Sequence, residues 1–361
     1  MLMRLPTVTR LALSAPLLVA LLTACSGYEP TNAVNEPNRA FGDQSGPRVI
    51  ANYRPMVAID GARSVLPEGF KPNAIRPGWM KSPPVGNDLL GRAHIAVAQF
   101  GGSTVLWFFL NNRNDKPPID CEPASSTNGI AIDRTGNLWV PDGRANTTTE
   151  YARNCGGPKL TIPDPTGEPA DVGFDSTNRV YILNLNNVSG PPTVQYYNRT
   201  NGAQLGTLSD PSFNILFGIG TDSLGNVFVS NLTPNNVGIV IEFPHGKMPG
   251  SQLSGVHLGL PGAPTFDSAN NLIITDWLHE TIDVFTPPYT GSPTTAPLMG
   301  SSIWCKLNHD QIHLFCGDAD NGSIDVYGYP ANAYKYSYTS GLSPDALVTG
   351  VAPDPAAEYG M

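Results

Sequence analysis

A short pattern recurs along the last two thirds of the chain, and it limits the possible folds more than any other feature of the sequence. In the clearest copy, residues 129–142, a run of small and apolar residues leads to Asp133, a turn and an alternating stretch that ends at Asp142. In the next three copies an Asp again lies nine residues before a closing Asp or Asn. The first positions of the six copies are Asp133, Asp175, Asp222, Asp267, His309 and Asp354.

Each copy predicts a strand, a tight turn and a second strand. The Asp, Gly and Asn residues of the turn accept backbone N–H bonds or tolerate positive φ, and the stretch after the turn alternates like a half-buried strand. The mean spacing of the copies is about 44 residues, a period typical of a four-stranded propeller blade. We therefore predict an all-β fold, a six-bladed β-propeller of four-stranded antiparallel blades. The recurrent Asp residues are expected to hold the turns together rather than to bind calcium.

The length of the repeat region fits a closed ring. Residues 91–361 provide about 270 residues, and six blades of about 44 residues need about 264. The sixth copy stops after its first strand near Asp354, whereas residues 94–97 and 104–108 supply strands without a first one. We therefore predict that the two chain termini share one blade. A seven-bladed ring and a linear solenoid are the alternatives, although a solenoid would need distinct caps.

Composition excludes several classes of protein. Gly contributes 37 residues and Pro 35, while charged residues are only 14% of the chain. An all-helical protein and a coiled coil are excluded, because Pro breaks helices and Gly weakens them. The net charge is −9 and no cluster of Lys or Arg is present. Binding to nucleic acid through its phosphates is therefore not expected, nor is attraction to an anionic membrane surface.

The N-terminus has the pattern of an export signal. Arg4 and Arg10 precede an uncharged, mostly apolar stretch over residues 11–24, which is too short to cross a bilayer core of about 30 Å as a helix. Its last residues, Leu-Thr-Ala before Cys25, resemble the bacterial lipoprotein box. The resemblance implies a signal peptide over residues 1–24, lipid attachment at Cys25 and anchoring in the bacterial cell envelope, with the outer membrane favoured in a Gram-negative cell. An ordinary signal peptide with a chance Cys is the alternative.

The stretch after the signal differs from the rest of the chain. Residues 25–90 are rich in Pro, Asn and Gly and have no sustained period, which predicts a flexible tether or N-terminal extension. Residues 50–60 and 65–70 are candidates for short strands or for a clasp on the main domain. The propeller is expected over residues 91–361.

Four cysteines remain once Cys25 carries the lipid, an even number for an exported chain. Cys305 and Cys316 flank the fifth predicted hairpin, so they are expected to face each other across two strands as a disulfide. Cys121 and Cys155 then pair by elimination. Buried free thiols and a metal site are the alternatives, but the absence of a Cys-x-x-Cys pair argues against zinc.

The repeats resemble those of NHL-repeat and regucalcin/gluconolactonase-like propellers over about residues 91–361. Asn128, followed by Gly-Ile-Ala, resembles the Asn of the second family that binds a divalent metal on the propeller axis. That resemblance implies a metal that polarises a lactone or a phosphoester. Asp171 is one place from the position aligned with Asn128 in the next copy, and the aligned positions carry no acid: Ala170, Phe217, Gly262, Trp304 and Thr349. We therefore expect no cofactor, with a divalent metal at Asn128 and Asp171 as the alternative.

The remaining motifs of common enzymes are missing from the sequence. It contains no Gly-x-Ser-x-Gly elbow and no Walker loop, and its six His residues are scattered. Three aromatic residues, Phe217, Trp277 and Trp304, are candidates for a charge-poor mouth of the ring, which would suit a sugar, a peptide or an apolar ligand. Packing between blades is the alternative role for these rings.

These observations predict a lipid-anchored, extracytoplasmic propeller that serves as a non-catalytic binding or scaffold module. Its partner would be an unknown protein, sugar or small molecule, besides the membrane that holds the anchor. A metal-dependent lactonase or hydrolase of the gluconolactonase type is the alternative. A lyase like the streptogramin-cleaving propellers is a further alternative, for which the sequence has no matching His and Glu residues.

Overall fold

The computed structural model describes β-strands joined by turns and loops through most of the region after residue 93. The only helix within the described residues is one 3-10 turn, Pro244–Gly246. In this described part no helix has the length and apolar character needed to cross a membrane. The described residues all belong to one compact unit of the chain, residues 53–361. They are 58–59, 62–63, 94–99, 104–109, 118–123, 127–153, 156–165, 167–187, 190–300, 302–319, 321–339, 342 and 348–353.

Among the described residues, 26 strands form six four-stranded sheets and one two-stranded sheet. Their bounds are β1 (Ala58–Ile59), β2 (Ala62–Arg63), β3 (His94–Gln99), β4 (Thr104–Phe109), β5 (Ile119–Pro123), β6 (Ala131–Ile132), β7 (Leu138–Asp142), β8 (Thr147–Tyr151), β9 (Pro158–Pro163), β10 (Gly167–Phe174), β11 (Arg179–Asn187), β12 (Thr193–Asn198), β13 (Gln204–Leu208), β14 (Ile215–Thr221), β15 (Val227–Leu232), β16 (Gly238–Phe243), β17 (Ser251–Gln252), β18 (Thr265–Phe266), β19 (Leu272–Asp276), β20 (Thr281–Phe285), β21 (Thr294–Pro297), β22 (Cys305–Leu307), β23 (His313–Asp318), β24 (Ser323–Gly328), β25 (Ala333–Tyr338) and β26 (Val348–Pro353).

The six four-stranded sheets are the blades of a β-propeller. Blades 1 to 5 are β6–β9, β10–β13, β14–β17, β18–β21 and β22–β25, and each is an antiparallel sheet in chain order. Blade 6 has the order β26-β3-β4-β5, so its first strand comes from the C-terminal part of the chain. The predicted six-bladed propeller, with one blade shared between the termini, is confirmed.

The pairing of β26 with β3 closes the ring. The two strands are antiparallel, with Val351 opposite Val97 and Ala352 opposite Ala96. All four of these side chains are buried. Outside the ring, β1 and β2 form a small antiparallel pair within the stretch for which a tether was predicted. The signal peptide and Cys25 lie outside the described residues.

The blades pack because their inner strands are apolar on both faces. Every residue of β15 is buried, whereas the outer strands β9, β13 and β25 carry the exposed residues. This gradient arises because neighbouring blades cover both faces of the inner strands and leave the fourth strand at the rim. Aromatic contacts join adjacent blades, as between Trp139 of blade 1 and Phe174 of blade 2, whose ring centroids are 5.8 Å apart.

The recurrent Asp residues hold the hairpins between the first and second strands, as predicted. Each accepts a hydrogen bond from the backbone N–H two residues further on and from the N–H four residues further on. These bonds are 2.8–3.1 Å long. The residues concerned are Asp133, Asp175, Asp222 and Asp267.

The fifth repeat departs from the predicted alignment by one residue. In blade 1 the N–H of Asp133 donates to the carbonyl of Asn137. The corresponding bond of blade 5 runs from the Asn308 N–H to the His313 carbonyl. Asn308 therefore occupies the turn position for which His309 was predicted, and the hairpin is one residue longer. In consequence Trp304 aligns with Gly129, not with Asn128.

The predicted bond between Cys305 and Cys316 is confirmed. The two residues lie opposite each other on β22 and β23, with Cα atoms 4.1 Å apart. Cys121 also takes part in a disulfide. Cys155 lies outside the described residues, so its pairing with Cys121 stays a prediction.

Candidate site at the axial mouth

The first strands of the blades converge at one end of the ring. The equivalent positions there are Gly129, Asp171, Gly218, Ala263, Trp304 and Gly350. Side-chain space at these positions is limited, since a Cβ atom on Gly218 would overlap the Cβ of Ala263, and one on Gly129 would overlap the Asp171 carboxylate. The small residues are therefore required by the close approach of four blades. Only Asp171 and Trp304 carry large side chains at this level.

Asp171 holds its carboxylate inside this crowded centre. The residue is fully buried, and its Oδ1 accepts the N–H of Val172 while its Oδ2 accepts the N–H of Ile219, both at 2.9 Å. Burial raises the pKa of the Asp171 carboxyl, and the Lys306 charge, the two backbone N–H groups and the Trp304 indole only partly oppose that shift. The carboxylate thus links blade 2 to the backbone of blade 3.

Trp304 meets Asp171 from blade 5. Its indole Nε1 lies 2.8 Å from the point that a Cβ on Gly129 would occupy, next to the Asp171 oxygen that the same Cβ would overlap. The Trp304 indole acts on Asp171 as a side-chain hydrogen-bond donor, and this interaction lowers the pKa of the carboxyl against the effect of burial. Trp304 is 3% exposed and packs in one apolar cluster with Phe217 and Ala263. Asp171 of blade 2 and Trp304 of blade 5 are thus in contact.

The structure brings the sequence-predicted residues to this same end of the ring. We call this end the axial mouth and define it by the five predicted residues, Asn128, Asp171, Phe217, Trp277 and Trp304, together with Ser302. Phe217 and Trp304 belong to the buried cluster, and the half-buried Trp277 packs against it. The backbones at Asn128 and Asp171 are adjacent, because the Gly129 N–H donates to the Ala170 carbonyl at 2.6 Å. Whether the three aromatic rings contact a ligand stays a prediction.

Three residues of this end escaped the sequence analysis. Lys306 lies on β22, two residues after Trp304, and provides the cation that favours an ionised Asp171. The Ser302 side chain is fully buried, with its hydroxyl unpartnered among the described groups. Asp276 ends β19 and accepts hydrogen bonds from the backbone N–H groups of Gly259 and Leu260 and from the His279 ring. Only Asp276 carried a sequence signal, as the closing Asp of its repeat.

The donor set of the axial mouth does not fit a divalent metal. Calcium takes six to eight oxygen ligands, and magnesium takes one or two carboxylates together with several bound waters. Here Asn128 offers one neutral amide oxygen, and both oxygens of the Asp171 carboxylate already accept backbone N–H groups. Within the described part of the chain, no three His, Cys, Asp or Glu residues are grouped so that they could hold a metal ion.

Comparison with known proteins places the chain by fold alone. No protein-family model matches it, and no curated protein is significantly similar in sequence. A solved structure from a nidogen/laminin complex is similar with a TM-score of 0.63 and 15% identity, covering 73% of this chain and 98% of that chain. A protein of unknown function from Bacteroides caccae has a TM-score of 0.56 and 12% identity, covering 73% and 99%.

A third similar structure is regucalcin, a calcium-binding protein from Agrobacterium tumefaciens. It has a TM-score of 0.47 and 12% identity, covering 64% of this chain and 79% of that chain. A score this low carries no argument about function. At the identities of all three structures, what is shared is the propeller fold.

Proposed function

We propose that the chain is a non-catalytic binding module: a lipid-anchored, extracytoplasmic propeller that engages its partner through the axial mouth. The observation that supports this proposal is that Asn128 and Asp171 offer too few free oxygen atoms to hold a metal. The resemblance to gluconolactonase-like propellers implied a catalytic metal at this place. Here a buried carboxylate is engaged by two backbone N–H groups and an indole ring lies beside it.

This arrangement favours binding over metal-dependent hydrolysis. A metal that polarises a lactone must be held by several oxygen ligands and keep an open coordination position. Asn128 and Asp171 alone provide too few free lone pairs for both tasks. One of the similar structures is of a complex between two proteins, nidogen and laminin. We propose that this chain likewise uses its propeller to bind a protein.

A metal titration tests the choice between binding module and metalloenzyme. The mature chain with Cys25→Ser would be stripped with chelator and heated with calcium, magnesium, manganese or zinc. A ligand that binds only the folded state at a hundredfold excess over Kd stabilises it by about 2.7 kcal/mol. We expect no saturable rise in Tm with any of the four ions. A rise that Asp171→Asn abolishes and Glu280→Gln leaves intact would overturn the proposal in favour of the lactonase or hydrolase.

The lipid anchor is part of the proposal and has its own test. It is supported by the apolar stretch before Cys25 and, indirectly, by the disulfide between Cys305 and Cys316, since such bonds persist in oxidising compartments. Growth of a bacterial host with an alkyne-bearing fatty acid should label the wild-type chain and the Ser26→Ala control. Cys25→Ser should lose the label. An unlabelled wild-type chain would contradict lipid attachment.

A further inference from the structure

Three polar side chains form a chain of hydrogen bonds on the surface of blade 5. Asp310 Oδ2 accepts a bond from His313 Nδ1 at 2.6 Å, and Lys335 Nζ donates to His313 Nε2 at 3.3 Å. The side chains of Asp310 and His313 are each 27% exposed, and Lys335 is exposed. The amine of Lys335 is therefore bonded to a base and is also accessible to a ligand from solution.

Asp310 fixes the orientation of the His313 ring. Its Oδ1 accepts the backbone N–H groups of Ile312 and His313, at 2.9 and 3.1 Å, which leaves Oδ2 for the imidazole. Because Nδ1 donates its proton to this carboxylate, the neutral ring has its lone pair at Nε2, on the side of Lys335. Burial acts to raise the pKa of Asp310, but the hydrogen bonds from His313 and from the backbone hold the pKa below its ordinary value. The carboxylate therefore stays ionised and stabilises an imidazolium when His313 takes up a proton.

A glycine allows Lys335 to reach this histidine from another strand. His313 on β23 lies opposite Gly328 on β24, and Lys335 lies one strand further out, on β25. A Cβ atom on Gly328 would be 2.6 Å from Lys335 Cε, so the lysine side chain passes directly over the glycine. Lys335 has no carboxylate partner in the described part of the chain, whereas Lys159, on the outer strand of blade 1, lies 3.0 Å from Glu150. Lys335 is thus paired with a base and not with an acid.

This arrangement provides the proton transfers that imine formation requires. His313 Nε2 takes one proton from the Lys335 ammonium, and the free amine forms a C–N bond to the carbonyl carbon of an aldehyde. In the adduct a second proton moves from the nitrogen to the former carbonyl oxygen. His313 then gives its proton to this hydroxyl, the C–O bond breaks with loss of water, and the nitrogen lone pair forms the C=N bond. One ammonium and one aldehyde are thereby converted into one iminium and one water.

We propose that Lys335 binds an aldehyde covalently and reversibly, with His313 transferring the protons and Asp310 orienting His313. Reaction with an ester would in addition need donors preorganised for an oxyanion, whereas these three residues supply an amine, a base and an orienting carboxylate. Asp310 follows β22 and Trp304 precedes it, so the two sites lie at opposite ends of this strand. The inference therefore goes beyond binding at the axial mouth and does not depend on it.

Reductive alkylation with propanal and cyanoborohydride tests the inference. The mature chain with Cys25→Ser is treated at neutral pH with enough cyanoborohydride that imine formation limits the rate, and peptide mass spectrometry follows each lysine. The exposed Lys247 and the ion-paired Lys159 are internal references. We expect Lys335 to be alkylated about tenfold faster than either reference, a modest effect beside the factor of about 10²–10⁴ that a positioned acid–base group contributes in enzymes.

Variants separate proton transfer from the accessibility of the lysine. His313→Gln keeps a polar side chain beside Lys335 but cannot transfer the proton, so the rate at Lys335 should fall to that of Lys247. Gly328→Ala should have the same effect by displacing the lysine side chain, whereas His257→Gln, at an exposed histidine, should leave the rate unchanged. Circular dichroism establishes that each variant is folded. Equal rates at Lys335 and Lys247 in the starting protein, or an unchanged rate at Lys335 in folded His313→Gln, would overturn the inference.

Discussion

The Asp175 carboxylate accepts hydrogen bonds from the backbone N–H groups of Thr177 and Arg179, from the Arg179 guanidinium and from the Tyr181 hydroxyl. Burial acts to raise the pKa of this carboxyl, but the hydrogen bonds outweigh burial and hold the pKa below its ordinary value. A lowered pKa in the folded state stabilises the fold above the unfolded pKa of about 3.9, and this contribution is lost as the pH falls through the folded value. Protonation of Asp175 at low pH is therefore expected to lower the stability of the fold.

Asp175→Asn tests this contribution. The substitution keeps the shape but removes the charge, so we expect the free energy of unfolding at pH 7 to fall by about 1–3 kcal/mol. Near pH 3 the wild type and the variant should differ much less, because the wild-type carboxylate is then losing its advantage. Urea unfolding at the two pH values measures both quantities, with Glu280→Gln as an exposed control. Equal losses at pH 7 and pH 3 would contradict the argument.

Asp325 shows the opposite behaviour in blade 5. Burial raises the pKa of Asp325 to about 6, and the neighbouring Asp318 adds to the shift, although the hydroxyl groups of Ser323 and Ser337 donate to its carboxylate. The folded state therefore binds a proton more tightly than the unfolded state. Its free energy of unfolding falls as the pH rises from about 4 to about 6, because the ionised Asp325 carboxylate is then buried beside Asp318.

Asp325→Asn should remove this cost. We expect the variant to be more stable than the wild type at pH 7 by about 1–3 kcal/mol, since one pKa unit corresponds to about 1.4 kcal/mol. At pH 4, where the wild-type carboxyl is protonated, the two proteins should have similar stability. Urea midpoints at pH 4 and pH 7 give the comparison. A variant less stable than the wild type at pH 7 would show that its hydrogen bonds to Ser323 and Ser337 matter more than the charge.

At the scale of the hairpin, the disulfide between Cys305 and Cys316 stabilises the fifth repeat, whose turn lacks the usual Asp. The hairpin between β22 and β23 is one residue longer than its equivalents and has Asn308 in place of the turn Asp. Its base is held by Cys305 and Cys316, both buried. A covalent link between directly opposed residues fixes the register that the weaker turn specifies less well.

The variant Cys305→Ala/Cys316→Ala measures this contribution. Loss of a disulfide that closes a short loop is expected to lower the free energy of unfolding by about 2–4 kcal/mol. The matched control is reduction of the wild type under native conditions, which should approach the stability of the double variant if the sulfurs are accessible to the reductant. Circular dichroism during heating gives the Tm of each form. An unchanged Tm in the double variant would mean that blade packing alone fixes this hairpin.

The blades could be predicted from the repeat because the same types of residue occupy equivalent packing positions in each blade. Small residues recur where first strands meet, and Asp recurs where backbone N–H groups need an acceptor. The extra residue in the fifth turn could not be predicted. Asn308 occupies the position of the turn Asp, but the nine-residue spacing to Asp318 pointed to His309 instead. The contact between Asp171 and Trp304 was also missed. These residues are far apart in sequence and meet only because the ring closes.

At the scale of the whole molecule, the propeller depends on one pair of strands that are distant in sequence. The strand β26 contributes Val351 and Ala352 to the interior, opposite β3. Without β26, blade 6 would lack its first strand, and the edge of β3 and the apolar faces of blades 5 and 1 would be exposed. Ring closure thus stabilises all six blades together, as expected for a fold that avoids open edges by closure.

Truncation after residue 339 tests this dependence, and Val351→Ala provides a variant that can still fold. The truncated chain should lose the single cooperative unfolding transition and bind a dye for exposed apolar surface.

Val351→Ala, which removes two buried methyl groups where β26 closes the ring, should lower the free energy of unfolding by about 1–3 kcal/mol. The matched control is Val237→Ala, an exposed residue of blade 3, for which we expect a change within about 0.5 kcal/mol. If Val351→Ala and Val237→Ala changed the free energy of unfolding equally little and the truncated chain unfolded cooperatively, the blades would be stable as an open array. The closing strands would then serve to position blade 6 rather than to hold the ring.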